Sequence, residues 1–322
     1  MNKKADLFTN AQDKGDAVCV RLDELIAQRL PARALVLAQS RKIGASRSGV
    51  RDSRFRGRGV DYVESRAYQP GDDIRNMDWR VTARSGKPHT KLFQEERERS
   101  VLLVVDHNAT MQFGTRVRFK SVQAARAAAF VAWSAVRGGD RIGAVGFGGG
   151  VVEECKPAGG PRGALRSLRA FTEWDERARS RAAESVGSLS EGLQRTHRLA
   201  RPGSLILVFT DGYSADAESE PLLARLARHG DVRIVLCGDP IESNALPAGR
   251  YAIALGTLRR IFDAGDALGA ERWTSAFRQR RTQLVDQARR LGISITRLET
   301  NDELSRCLAP LGLALAARTG TR

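Results

Sequence analysis

Two apolar runs constrain this chain more than any other feature. They are Ser100-Val-Leu-Leu-Val-Val-Asp106 and Ser204-Leu-Ile-Leu-Val-Phe-Thr-Asp211, each closed by a carboxylate. A strand that is apolar at every position, rather than at every second one, is buried on both faces. Helical patterns separate such strands here. Arg118–Arg137 carries Ala124, Ala125, Ala127, Ala128 and Ala129, small enough for close packing, and Glu220–His229 and Ala270–Leu291 are also helical. Further strands are expected at Arg141–Phe147, Val232–Cys237 and Ile293–Leu298, and a short edge strand at Val151–Lys156 after the Gly148-Gly149-Gly150 turn. Pro161–Phe171 reads as a helix with its proline at the tolerated start, Ser185–Ala200 as another, and Asp302–Leu313 as the last. Alternating strands and helices specify an α/β domain, a mainly parallel sheet with helices on both faces. In such sheets the C-terminal ends of the strands are where ligands bind, and Asp106 and Asp211 are both expected there.

The first hundred residues read differently. A helical pattern over 20–38 is interrupted by Pro31, and a Gly- and Ser-rich loop follows. From Arg41 to Arg58 that loop holds seven basic residues against one acid, Asp52. Arg47, Arg51, Arg54, Arg56 and Arg58 are therefore candidate contacts for an anionic partner, in keeping with a net charge of +16. Phe55 is the only aromatic inside the run, a weak basis for stacking single-stranded nucleic acid. Extended segments at 60–69 and 88–98 should form a small β-unit. Between them lies Arg66-Ala-Tyr-Gln-Pro-Gly-Asp-Asp-Ile-Arg-Asn-Met-Asp-Trp79. Its Pro70-Gly71 turn is followed by Asp72 and Asp73, which need cations or N–H groups to face them. The expected role is structural, with Trp79 buried and Asp72 or Asp78 paired with Arg66, Arg75 or Arg84. The division that follows is an N-terminal part over 1–98, a sheet domain over 99–314 and a tail over 315–322.

Taken together these stretches resemble a known family, the bacterial and archaeal domain of unknown function 58, which is similar to the von Willebrand factor A domain. The resemblance is carried by Arg66, Tyr68, Gly71, Asp72, Arg75, Asp78 and Trp79, then Ala83-Arg84 and Gln94-Glu95-Glu96. It continues through Met111-x-Phe113-Gly114, Lys120, Gly139-Asp140-Arg141-Ile142-Gly143 and Asp239-Pro240-x-Glu242. It implies an A-type (Rossmann-like) α/β fold with a small N-terminal β-rich extension. In A domains an Asp-x-Ser-x-Ser after the first strand, a loop threonine and a later aspartate bind Mg²⁺, a hard cation suited to oxygen ligands. Here the first motif reads Asp106-His107-Asn108-Ala109-Thr110, the third loop offers Ser188 or Ser190, and Asp211 closes the set. The pattern is that of a degenerate metal-ion-dependent adhesion site: Mg²⁺ is the one cofactor it suggests, and weak or absent binding is the expectation. His107 is read either as a further ligand or as an exposed residue at a strand end. Asp239 and Glu242 should open on the same face. The resemblance further implies a chaperone-like partner of a MoxR-type AAA+ ATPase, acting on a client protein.

Several chemistries lack their motifs. There is no Gly-x-x-x-x-Gly-Lys-Ser/Thr loop and no Gly-x-Ser-x-Gly elbow, and the glycines after Gly146 lead into a strand rather than a helix. The four cysteines, Cys19, Cys155, Cys237 and Cys307, show neither zinc spacing nor a disulfide framework. No apolar run approaches the roughly 20 residues of a membrane span, and the first residues lack the apolar core of a secretory signal, so a cytoplasmic location is expected. A non-enzymatic interaction module is the leading expectation. Nucleic-acid binding through the basic 41–58 segment is the alternative. A metal-dependent phosphodiesterase using Asp72, Asp73 and Asp78 is the lesser enzymatic one.

Overall fold

The structure is a computed structural model. It describes residues 16–32, 35–37, 60–69, 72, 74–95, 98–180, 186–243, 249–255, 258–263, 265, 267–311 and 313–315. Its centre is a six-stranded sheet. The strands are β1 (Ser100–Asp106), β2 (Arg141–Gly148), β3 (Val151–Gly159), β4 (Leu205–Thr210), β5 (Asp231–Gly238) and β6 (Ser294–Glu299). Their order across the sheet is β6-β5-β4-β1-β2-β3. All pairings are parallel except the β2–β3 hairpin. This is the expected α/β architecture, and β1 lies beside β4, so the two Asp-terminated runs end together.

The helices are α1 (Lys120–Arg137), α2 (Gly160–Ser180), α3 (Leu189–Leu199), α4 (Ser219–His229) and α5 (Ala267–Arg290). Two cores flank the sheet, because successive strand residues point to opposite faces. Val101, Leu103 and Val105 pack with α1 and α2, while Leu102 and Val104 pack with residues of α3, α4 and α5. Each such side chain contributes roughly 1.5–3 kcal/mol when fully buried. Helix α1 is buried at every residue from Lys120 to Ala135. Its alanines allow the sheet on one side and neighbouring helices on the other to approach, and a helix buried all round is an interior helix. Gly146 serves the same purpose in β2, since a Cβ there would lie 2.5 Å from the Trp174 ring.

Several boundaries differ from the sequence reading. Helix α2 runs on through Glu173–Ser180, where Trp174 and Ala178 keep one face apolar. The 20–38 pattern yields two short helices, Leu22–Ala27 and Arg29–Ala32, then a strand, Leu35–Leu37. That strand pairs antiparallel with Leu313–Leu315. The final helix expected over 302–313 is accordingly reduced to Leu304–Cys307 and a 3-10 turn at Ala309–Leu311, around Pro310. The Leu22–Ala27 helix belongs with the sheet: Leu25 is in its core, and the Leu25 carbonyl accepts from Trp133 Nε1 at 3.1 Å.

Residues 44–98 form a separate compact unit. Its described part is an antiparallel hairpin, Val60–Ala67 with His89–Glu95, irregular between Tyr62 and Glu64. A short helix, Trp79–Ser85, lies in the connection. The basic residues Arg47, Arg51, Arg54, Arg56 and Arg58, and also Gly71 and Asp73, fall outside the described residues.

Candidate functional site

The C-terminal ends of β1, β4 and β5 carry a closed network of buried charge. Asp106 is fully buried. Its Oδ1 accepts from the Asn108 N–H at 2.9 Å and from Asn108 Nδ2 at 2.8 Å. Its Oδ2 accepts from Thr210 and Ser214 hydroxyls, both at 2.7 Å. A carboxylate has about four lone-pair sites, so this one has none left for a metal. Burial, and then the neighbouring Asp211 charge, push the Asp106 pKa up to about 6. Asn108, whose amide oxygen could have been a ligand, is turned inward. Its Oδ1 accepts from the Gly187 N–H at 2.8 Å and its Nδ2 donates to the Gly187 carbonyl at 2.9 Å. Asn108 thus clips the 187 loop to β1, a reach that serine lacks.

Asp211 faces a different partner. Its Oδ1 accepts from the Tyr213 N–H at 3.1 Å, and its Oδ2 accepts from Lys120 Nζ at 2.9 Å. Lys120 is the first residue of α1 and is 1% exposed. Its Nζ also donates to Glu242 Oε1 at 2.6 Å. Phe113 and Tyr213 rings lie 5.7 Å from the ammonium. Burial opposes the charge on Lys120, but Asp211 and Glu242 outweigh it and hold the ammonium above its usual pKa. Glu242 Oε2 accepts from Arg281 Nη2 at 2.8 Å and from the Asp239 N–H at 3.1 Å. Arg281 in turn lines a cavity of about 340 Å³ with Arg297 and Glu299.

Asp239 completes the edge. It accepts from the Thr115 N–H and hydroxyl at 3.0 and 2.6 Å, from Thr300 at 2.7 Å and from the Ile241 N–H at 3.1 Å. Burial would raise its pKa, but these bonds hold it below the usual carboxylate value. Glu242 and Asp239 therefore tie the β5 loop to the 113–115 loop after β1 and to the end of β6.

The Mg²⁺ implied by the A-domain resemblance does not fit these residues. Mg²⁺ requires near-octahedral oxygens at about 2.0–2.1 Å. Here Asp106 is saturated by donors, Asn108 is engaged with Gly187, and a protein ammonium lies between Asp211 and Glu242. Ser188 is also engaged. It is the N-cap of α3, in a capping box with Glu191, and its hydroxyl meets Ser190, which donates to Asp216 at 2.6 Å. Thr110 Oγ1 is buried without a hydrogen-bond partner. Among the described residues no cluster of three or more His, Cys, Asp and Glu is arranged to hold a metal. The structure thus gathers Asp106, Asn108, Asp211, Asp239 and Glu242 at one edge, and supplies the cation from the chain itself.

His107 is buried rather than exposed. It is 2% exposed and packs edge-on to the Trp174 ring, 6.0 Å between centroids. Burial, with a smaller push from Arg177, lowers its pKa to about 3, so the ring is neutral.

A family match spans residues 64–261, which hold β1 to β5 and both ends of the lysine bridge. The chain belongs to the DUF58 family, described as proteins of unknown function. It is similar to the uncharacterized proteins Rv1480 of Mycobacterium tuberculosis (strain H37Rv) and Mb1516 of Mycobacterium bovis. Each is 32% identical over 197 residues, which is 61% of this chain and 61% of the relative. The chain therefore spans less than two thirds of the length of the curated relatives it matches. Lys120, Asp211, Asp239 and Glu242 all lie inside the DUF58 match, and Arg281 lies beyond it.

The motif residues from Arg66 to Trp79 lie in the hairpin unit. Arg66 pairs with Asp72 at 2.7 Å, as expected, and Asp72 also accepts from the Gln69 N–H. Asp78 forms a cap rather than an ion pair. It accepts from the N–H groups of Arg80 and Val81 and from Ser65 Oγ at 2.7 Å. Tyr68 is half-buried and Arg75 is exposed in a 3-10 turn. Trp79, expected to be buried, is 66% exposed. The reason is local: with Asp78 as N-cap and facing Ser65, the first helical residue is turned outward.

Proposed function

We propose that this DUF58 protein is a non-enzymatic interaction module, an adaptor acting with a MoxR-type AAA+ ATPase on a client protein complex. The observation that carries the reading is the Lys120 bridge. At the edge where A-type folds bind ligands through a metal, Asp211 and Glu242 share an internal ammonium and Asp106 is held by Asn108, Thr210 and Ser214. A site so closed offers no open coordination position and no group free to accept a substrate proton. Of the three acids a phosphodiesterase would use, Asp72 and Asp78 are occupied as an ion pair and a helix cap, and Asp73 lies outside the described residues. The family resemblance supports the ATPase as partner. Among the described residues no helix is long and apolar enough to cross a membrane.

The test is co-sedimentation of the full chain with the MoxR-type ATPase from the same organism, with and without ATP. Nucleotide-dependent association supports the adaptor. No association under either condition refutes it. The net charge of +16 favours a second reading, nucleic-acid binding through the 41–58 segment. Phosphate binding would weaken steeply with added salt, which separates the two.

A further inference from the structure

We infer that the outer face of the Trp79–Ser85 helix is a docking site for an acidic protein segment that carries an apolar anchor. This rests on the interaction-module reading and names its partner surface. Trp79 is 66% exposed and Ile74, in the preceding 3-10 turn, is 62% exposed. Among the described residues Trp79 is the only aromatic among the exposed large hydrophobics. An indole left in water has a cost, and the helix that carries it is held at both ends. Asp78 caps the helix start, Gly86 at φ 70° ends it, and Thr82 Oγ1 accepts from the His89 N–H at 3.0 Å. The half-buried Val81 and Thr82 take the inner face. Trp79, Arg80, Ala83 and Arg84 are exposed. At 100° per residue, Trp79 and Ala83 form one ridge and Arg80 and Arg84 the next.

Tryptophan and arginine are the residues that dominate binding hot spots, and a fixed helix loses little freedom when a partner lands on it. Charge identifies that partner. From Ile74 to Lys91 the sequence has five basic residues, Arg75, Arg80, Arg84, Lys87 and Lys91, and one acid, Asp78. Asp78 is buried in the cap, and the charged side chains exposed on the helix beside the indole are Arg80 and Arg84. A single-stranded nucleic acid fits less well, since stacking platforms present several aromatics in succession.

The experiment uses the full chain and two fluorescent probes. One is a 20-residue amphipathic peptide with glutamates on one face and leucines and a phenylalanine on the other. The other is an oligo(dT) of 20 nucleotides. Anisotropy titrations compare the natural chain, Trp79→Ala and the double variant Arg80→Glu, Arg84→Glu. Saturable peptide binding that each variant weakens by about tenfold or more, with melting temperatures unchanged, is the expected result. Equal peptide affinity in Trp79→Ala, or no saturable peptide binding by the natural chain, overturns the proposal. So does tighter, Trp79-dependent binding of oligo(dT), which would make the face a nucleic-acid site. A clear loss of melting temperature in Trp79→Ala also overturns it, because the indole would then be covered by its own chain. The adaptor reading fails separately. A chain that binds the peptide through Trp79 but never the ATPase refutes the adaptor and keeps the site. A chain that binds the ATPase but shows no saturable binding of the peptide does the reverse.

Discussion

Replacing Lys120 by methionine removes the ammonium and keeps most of the side-chain volume. The structure fixes what is left behind. Glu242 keeps Arg281 at 2.8 Å and the Asp239 N–H at 3.1 Å. Asp211 keeps the Tyr213 N–H on its other oxygen, and still faces Asp106. The two carboxylates are at most 1% exposed, so water cannot replace the lost partner. Breaking a buried pair by deleting one member costs about 3–5 kcal/mol. At about 2–4 °C per kcal/mol for a domain of 150–250 residues, the melting temperature should fall by on the order of 10 °C. Adding Asp211→Asn should make the double variant less destabilised than the sum of the single changes, a coupling of about 0.5–3 kcal/mol. Circular dichroism melts of the single and double variants give both quantities. A Lys120→Met protein that melts within about 2 °C of the natural chain, well inside the loss expected from a buried pair, would refute the reasoning.

Other outcomes follow from the same structure. Asp78→Ala removes a helix cap rather than a buried ion pair, so it should cost about 0.5–2 kcal/mol; the loss should appear as faster hydrogen exchange at the Arg80 and Val81 amides, and unchanged exchange there would count against the cap. His107 has a folded pKa of about 3 against 6.5 unfolded, so its contribution is complete above pH 6.5 and is lost toward pH 3, at about 1.4 kcal/mol per unit. Asp106 acts in the opposite sense, since its pKa is raised to about 6, and it stabilises below 3.8 and loses that as pH rises through 6. His107→Leu should accordingly gain stability relative to the natural chain between pH 6.5 and 4.5, and parallel stability curves would contradict the neutral buried imidazole.

Much of the sheet could be read from sequence because its strands are uninterrupted apolar runs, such as Val101–Val105 and Leu205–Phe209. Their terminal acids were legible for the same reason. The occupant of the site was not. A lysine at a helix start reads as a solvent-facing residue, and its partners lie 91 and 122 residues away in sequence. Its place in the family pattern and the Ala-rich helix that follows are the two sequence signals that single it out. Trp79 was misjudged because Asp78 looked like an ion-pair partner, whereas as a cap it directs the next side chain outward. The C-terminal segment was misread because its strand, Leu313–Leu315, finds its partner at Leu35–Leu37.

The central claim is that the Lys120 ammonium takes the place of a divalent cation. Crystals grown in millimolar Mn²⁺ test it most directly, through an anomalous difference map at the C-terminal edge of the sheet. The expected result is no manganese peak near Asp106, Asp211 or Glu242, with density for Lys120 Nζ between Asp211 and Glu242. A manganese peak bound to the Asp211 carboxylate, with the lysine displaced, would contradict the claim.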